Sequence, residues 1–99
     1  MIDEGEVDWK VVCIRADDPK AALVSDVADV EKVFPGELLR IFEWFRDYKT
    51  PEGKPQSVFG YDGKCVDRAF TMGVIEETHD LYNALKSGKR ANDEELSLF

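Results

Sequence analysis

The sequence predicts an α+β domain in which helices outnumber strands. Three observations support this class: an alternating strand pattern near the N-terminus, an apolar stripe at helical spacing in the middle, and a second helical run before Gly88. The chain has 99 residues, 43% of them hydrophobic, which is enough for a core. One clear strand and one weak one are too few for a stable sheet, so the pattern indicates part of a larger domain.

The clear strand is predicted over residues 7–14. Apolar residues occupy both faces of its second half, a pattern typical of a strand that is buried on both sides. The run Asp17-Asp18-Pro19 is predicted to end it in a turn. The weak strand covers residues 57–61 and is closed by the turn signal Asp62-Gly63.

A short helical turn and a strong helix are predicted between the two strands. Asp26 or Asp29 is a candidate cap for the short turn, which should end near Val33. Pro35 suits the first position of the strong helix, where its missing N–H leaves no hydrogen bond unmade. The stripe of that helix is widened by Leu39 and Trp44 and consists of Leu38, Ile41, Phe42, Phe45 and Tyr48.

The last helix is expected over residues 68–87. Asp67 is its candidate N-cap, and Gly88 is placed to stop it. Its expected buried face consists of Phe70, Val74, Leu81, Tyr82 and Leu85. We therefore divide the chain into a domain portion, residues 1–88, and a polar tail, residues 89–99.

Charge and cysteine content narrow the class of protein. The net charge of −8 argues against binding nucleic acid or an anionic membrane, because both require a basic face. Cys13 and Cys65 lie far apart without CxxC spacing, so they are predicted to be reduced, buried thiols. These features favour a cytoplasmic protein.

Four carboxylates crowd the first eight residues, and a lysine follows them. Asp3 and Asp8 are separated by Gly5, where a bend would bring both carboxylates to one ion. Mg²⁺ is typically held by one or two carboxylates together with substrate phosphates, and an ammonium group such as that of Lys10 stabilises phosphate charge. The residues alone leave a solvated acidic terminus open as the alternative.

Longer motifs carry a resemblance to a known family. The run Ile-Asp-Glu-Gly-Glu-Val-Asp-Trp-Lys-Val at residues 2–11 resembles the metal- and phosphate-binding segment of family I soluble inorganic pyrophosphatases of the eukaryotic type. The resemblance continues, in order and with similar spacing, through residues 29–36, 43–55 and 75–80.

The resemblance implies roles for five residues. Asp3 and Asp8 match aspartates that bind the activating metal, expected to be Mg²⁺, and Lys10 matches a phosphate-binding lysine. Tyr48 and Lys49 match a Tyr-Lys pair that also binds phosphate. Without the resemblance, Tyr48 would be read as a core residue and Lys49 as a helix-dipole partner.

The resemblance also implies the fold and the reaction. The expected fold is a partial OB-like β-barrel of the pyrophosphatase type, here with one or two strands and two main helices. The parent enzyme would hydrolyse pyrophosphate to two phosphates and would form a homo-oligomer, most simply a homodimer.

Part of the family pattern has no counterpart in this chain. The triple-aspartate signature Asp-x-Asp-Pro-x-Asp is absent, and Asp17-Asp18-Pro19 lacks its spacing and its third acid. We therefore expect a C-terminal fragment that is inactive alone and that associates with itself through uncovered apolar surface. The alternative is a non-catalytic acidic interaction module descended from the enzyme. His79 is expected to have a structural or surface role. Lys54 is expected to be a loop residue, with phosphate binding as the alternative.

Overall fold

The computed structural model describes residues 1–98. A two-residue antiparallel hairpin, β1 (Ile2–Asp3) and β2 (Glu6–Val7), opens the chain. Three α-helices follow: α1 (Val27–Val33), α2 (Glu37–Asp47) and α3 (Arg68–Lys86). The chain divides into two compact units, residues 1–68 and the residues from 69 onward. The α+β class is confirmed.

The hairpin turn forms at the predicted bend. Glu4 and Gly5 both have positive φ, +51° and +83°, the combination that closes a two-residue hairpin loop with the correct twist. The register pairs Ile2 with Val7 and Asp3 with Glu6. The Asp8 N–H donates to the Met1 carbonyl at 2.9 Å and continues this pairing by one step.

The second predicted strand contributes a single bridge to this hairpin. The Ile2 N–H donates to the Val58 carbonyl at 2.7 Å, and an isolated antiparallel bridge forms there. Residues 61–63 instead form a 3₁₀ turn that contains the predicted Asp62-Gly63 pair. The prediction of a strand over residues 57–61 was therefore too long.

The strand predicted over residues 7–14 is mostly wrong. Only Val7 lies in a strand; after the single Asp8 hydrogen bond, no segment within residues 1–98 pairs with residues 9–15. Val11 and Val12 lie on opposite faces of the predicted strand and are 48% and 39% exposed, so both faces stay partly exposed. Cys13 and Cys65 are exposed free thiols, which corrects the prediction that they are buried.

The short helix α1 begins with a capping box. The Asp26 carboxylate accepts a hydrogen bond from the Val27 N–H at 2.6 Å, and the Asp29 carboxylate accepts one from the Asp26 N–H at 3.2 Å. Both predicted candidates therefore act at the same helix start. Asp26 also accepts a hydrogen bond from the Arg68 N–H at 2.9 Å, within the first compact unit.

Helix α2 begins two residues later than predicted. Gly36 precedes it with φ +78°, a left-handed conformation that stops Pro35 from being its first residue. The predicted stripe is half-buried, and the Phe42 ring lies 4.7 Å from that of Phe59, centroid to centroid. Trp44, which widens the stripe, stays 60% exposed. The predicted stripe therefore lies on the partly buried face of α2, but Trp44 at its edge is exposed.

Helix α3 begins at Arg68, directly after Asp67, and the chain turns at Gly88 with φ +80°. Both predicted ends are confirmed to within one residue. Val74 is the buried apolar residue of this helix, whereas Phe70 and Leu81 are exposed. Within residues 1–98, none of the helices combines the length and apolar character that crossing a bilayer requires.

Candidate active site

The candidate site consists of two segments of the first compact unit, together with Lys10, which follows the first segment. We call residues 2–8 the acidic hairpin and residues 46–57 the lysine loop. The lysine loop begins at the C-terminal end of α2, passes through a 3₁₀ turn at Thr50–Glu52 and a left-handed Gly53, and returns toward the hairpin. Its return is fixed where the Ser57 N–H donates to the Arg46 carbonyl at 2.9 Å.

The two ends of the lysine loop are joined by a polar network centred on Asp47. The Asp47 carboxylate accepts two hydrogen bonds from the Arg46 guanidinium, at 3.0 and 2.9 Å, and one from the Gln56 side-chain amide at 2.9 Å. The Asp47 carbonyl accepts a further bond from the Thr50 hydroxyl at 2.8 Å. These bonds fix the backbone on both sides of Tyr48 and Lys49.

Lys49 reaches from the loop to the hairpin. Its Nζ lies 2.5 Å from the Asp3 Oδ1, and the two side chains are only 19% and 31% exposed. This hydrogen bond lowers the pKa of the Asp3 carboxyl and raises the pKa of the Lys49 ammonium. Two residues that are 46 positions apart in sequence therefore form the least exposed ion pair of the site.

Asp8 and Lys10 form a second pair. The Lys10 Nζ lies 2.9 Å from the Asp8 Oδ1 and 5.2 Å from the centroid of the Phe45 ring on α2. The cation–π contact places Lys10 against the same helix face that leads to the lysine loop. It connects the end of the acidic hairpin to α2.

Tyr48 completes the chain of contacts. Its ring stacks on Trp44 at 4.9 Å, with an interplanar angle of 9°, and meets Phe45 edge-on at 6.1 Å. The Lys49 Nζ lies 5.5 Å from the Tyr48 ring centroid. All five predicted site residues thus belong to one continuous set of contacts, although the contacts do not test the role assigned to each.

One further ion pair of the site was not predicted from the sequence. The Lys54 Nζ lies 2.9 Å from the Glu4 Oε1, although the sequence assigned no role to Glu4. This contact lowers the pKa of Glu4 and raises that of Lys54. No local pattern signals a partner 50 positions away, so only the fold could identify it.

The donor set of the hairpin suits a hard cation. Antiparallel register places Asp3, Glu6 and Asp8 on one face, with Asp3 and Asp8 as diagonal neighbours at a typical Cα separation of about 7–8 Å. Carboxylate oxygens are the ligands that Mg²⁺ prefers, and two of them with substrate phosphates form a common site. Within residues 1–98, no three metal-ligating side chains converge.

Comparison with known proteins identifies the family. The sequence profile described as inorganic pyrophosphatase matches residues 1–83. The chain belongs to the inorganic pyrophosphatase family. It is 66% identical over 98 residues to soluble inorganic pyrophosphatase 1, chloroplastic, of Chlamydomonas reinhardtii, covering 99% of this chain and 35% of that protein. It is 52% identical to soluble inorganic pyrophosphatase 6, chloroplastic, of Arabidopsis thaliana, covering all of this chain and 33% of that protein.

Solved pyrophosphatase structures share the fold of this chain. The recombinant enzyme from Trypanosoma brucei brucei superimposes with a TM-score of 0.84 at 48% identity, covering 90% of this chain and 26% of that one. A truncated vacuolar soluble pyrophosphatase of Trypanosoma cruzi, solved in complex with PPi, gives a TM-score of 0.86 at 42% identity, covering 88% and 33%. The chain therefore spans about a third of the length of the curated relatives that it matches.

Proposed function

We propose that this pyrophosphatase chain supplies one wall of an active site that hydrolyses pyrophosphate to two phosphates. The observation that carries the proposal is that two carboxylates, two lysines and a tyrosine belong to one set of contacts. These residues come from the acidic hairpin, the position just after it and the lysine loop, and they are Asp3, Asp8, Lys10, Lys49 and Tyr48. Family membership supports the reaction, and the convergence supports the choice of residues.

Each residue has a distinct role in this proposal. Asp3 and Asp8 would hold Mg²⁺, which when bound supplies charge neutralisation and an activated water. Lys10 and Lys49 would place ammonium groups on the phosphate oxygens, where negative charge increases in the transition state. The Tyr48 hydroxyl would donate a hydrogen bond to the same group, since its ring is fixed by the Trp44 stack.

A chimera tests the function directly. This chain would replace the matching segment of the Chlamydomonas protein, with which it shares 66% identity, and phosphate release from pyrophosphate would be measured with Mg²⁺. We expect activity within about tenfold of the parent, and a loss of about a hundredfold or more in the Asp8→Asn chimera, because a metal ligand is removed.

Glu6→Gln is the matched control, because Glu6 lies on the same hairpin face and loses the same charge without a predicted role. Equal activity of the Asp8→Asn and parent chimeras would contradict the assignment of Asp8. A folded chimera that releases no phosphate would contradict the proposed function.

Three further proposals depend on the same family membership. We infer that the hairpin belongs to an OB-like barrel whose other strands come from the rest of a full-length pyrophosphatase. The isolated 99-residue chain is expected to be inactive, and the complete enzyme to be a homo-oligomer. The cytoplasmic location stays a prediction from composition; the names of two similar proteins place those proteins in the chloroplast.

A further inference from the structure

Three lysines and three carboxylates of the candidate site are matched one to one. Lys10 pairs with Asp8 at 2.9 Å, Lys49 with Asp3 at 2.5 Å, and Lys54 with Glu4 at 2.9 Å. In the first two pairs, a lysine proposed to bind phosphate occupies a carboxylate proposed to bind the metal. In each of these pairs, the aspartate cannot bind the metal and the lysine cannot bind phosphate while the two remain in contact.

We propose that Lys10 and Lys49 are exchangeable counter-ions of Asp8 and Asp3, and that both ammonium groups leave these carboxylates for phosphate when a divalent cation binds there. The inference rests on the proposed function, which assigns the two aspartates to the metal. The exchange adds an order of events. Without metal, the two lysines neutralise the carboxylates of the acidic hairpin, and only after metal binds do the lysines become available to phosphate.

The geometry favours Lys49 as the stronger competitor. Its pair with Asp3 is the least exposed of the three, so water screens the attraction less than at Lys54 and Glu4, whose side chains are exposed. The lysine loop that carries Lys49 is closed by the Asp47 network, which limits how far the backbone moves. Release of the ammonium group therefore requires a side-chain movement within a fixed loop.

Metal binding to the isolated chain tests the exchange without relying on activity. Free Mn²⁺ would be measured by electron paramagnetic resonance during titration of the 99-residue chain in the absence of phosphate. Lys49→Met should bind Mn²⁺ about fivefold more tightly than the unsubstituted chain, because Asp3 no longer has a competing cation. Lys49→Arg restores the cation and should return the affinity to within about twofold of the original.

Lys54→Met provides the matched control. It removes the same charge from the same loop, but its partner Glu4 is not a proposed ligand, so its Mn²⁺ affinity should change less than about twofold. Equal tightening in Lys49→Met and Lys54→Met would overturn the counter-ion role, because general charge would then explain both. Unchanged affinity in Lys49→Met would overturn it as well.

The outcomes separate this inference from the function on which it rests. Binding of Mn²⁺ that Asp8→Asn abolishes, with no difference between Lys49→Met and Lys54→Met, would reject the exchange and leave the metal site intact. Absence of Mn²⁺ binding in every variant would reject the exchange in this chain, whereas the proposed function is tested separately by phosphate release from the chimera.

A second measurement follows from linkage. The factor by which the metal raises affinity for inorganic phosphate, followed by ³¹P NMR, must equal the factor by which phosphate raises affinity for the metal. The exchange predicts that this factor exceeds one in the original chain and is smaller in Lys49→Met, where only direct contact between metal and phosphate still couples the two ligands. A factor that Lys49→Met leaves unchanged would overturn the proposal.

Discussion

The acidic hairpin is followed directly in the chain by residues 9–15, yet the two regions differ in how many of their side chains and backbone groups find partners. The hairpin finds its partners on the lysine loop. In the first region, the ion pairs Asp3–Lys49 and Glu4–Lys54 and the Asp47 network join residues up to 50 positions apart. In the second, no segment of residues 1–98 forms a ladder with the backbone, and Val11 and Val12 remain exposed.

The difference shows which interactions can form within this chain, which spans about a third of the length of its pyrophosphatase relatives. Hydrogen bonds and ion pairs need one partner each, and the hairpin and loop supply those partners to each other. An apolar strand needs cover on both faces and a neighbour on each edge, which is a larger set of partners. The candidate site is therefore arranged locally, whereas the core around it is not.

The largest expected effect concerns the uncovered segment. The double substitution Val11→Thr and Val12→Thr should weaken self-association of the isolated chain, because it removes apolar area available for burial. The concentration at which half of the chain is associated should rise about tenfold. Light scattering over a concentration series would measure this change.

Leu23→Thr is the control for that experiment. Leu23 is exposed in a 3₁₀ turn outside the segment, so its substitution should leave association nearly unchanged. A chain that remains monomeric at all concentrations would contradict the predicted self-association.

An intermediate effect is expected from pH at the Asp3–Lys49 pair. The pKa of Asp3 lies below its ordinary value of 3.8 in the folded chain, chiefly because Lys49 donates a hydrogen bond to the carboxylate. The pair therefore contributes stability above pH 3.8, and this contribution is lost as pH falls through the lower folded pKa. Thermal melts between pH 5 and pH 2 should show a shallower acid decline in Lys49→Met than in the original chain.

Asp3→Asn should flatten the acid decline to the same extent, because it removes the titrating partner of the same pair. The folded-to-unfolded ratio at neutral pH should change by about twofold in either variant, a size typical of a partly exposed pair. Parallel pH profiles for the original chain and Lys49→Met would show that the contact does not stabilise the folded chain.

The smallest expected effect concerns Lys54 and Glu4. Both side chains are exposed, and exposed ion pairs contribute little after screening and loss of side-chain freedom. Lys54→Met should leave the melting temperature unchanged within about one degree, as measured by circular dichroism. A clear loss of stability would show that this pair, and not Asp3–Lys49, fixes the hairpin against the lysine loop.

Local chemistry made some elements predictable. The Asp26 and Asp29 capping box, the bend at Glu4-Gly5 and the end of α3 near Gly88 depend on residues within a few positions of each other. The start of α2 was misplaced because a left-handed Gly36 overrode the preference of Pro35 for a first helical position. In each case the deciding interactions join residues that are close in sequence. Where a boundary was misplaced, the error was one or two residues.

The sequence by itself determined the family and the α+β class, and it supplied the five residues proposed for the site, because these inferences depend on residue types in a fixed order. Tertiary structure alone decided which charges meet, namely that Lys49 reaches Asp3 and Lys54 reaches Glu4. It also decided that Val11, Val12 and Cys13 stay exposed. The physical reason is that pairing and burial depend on partners distant in sequence, and periodicity specifies a face without specifying what covers it.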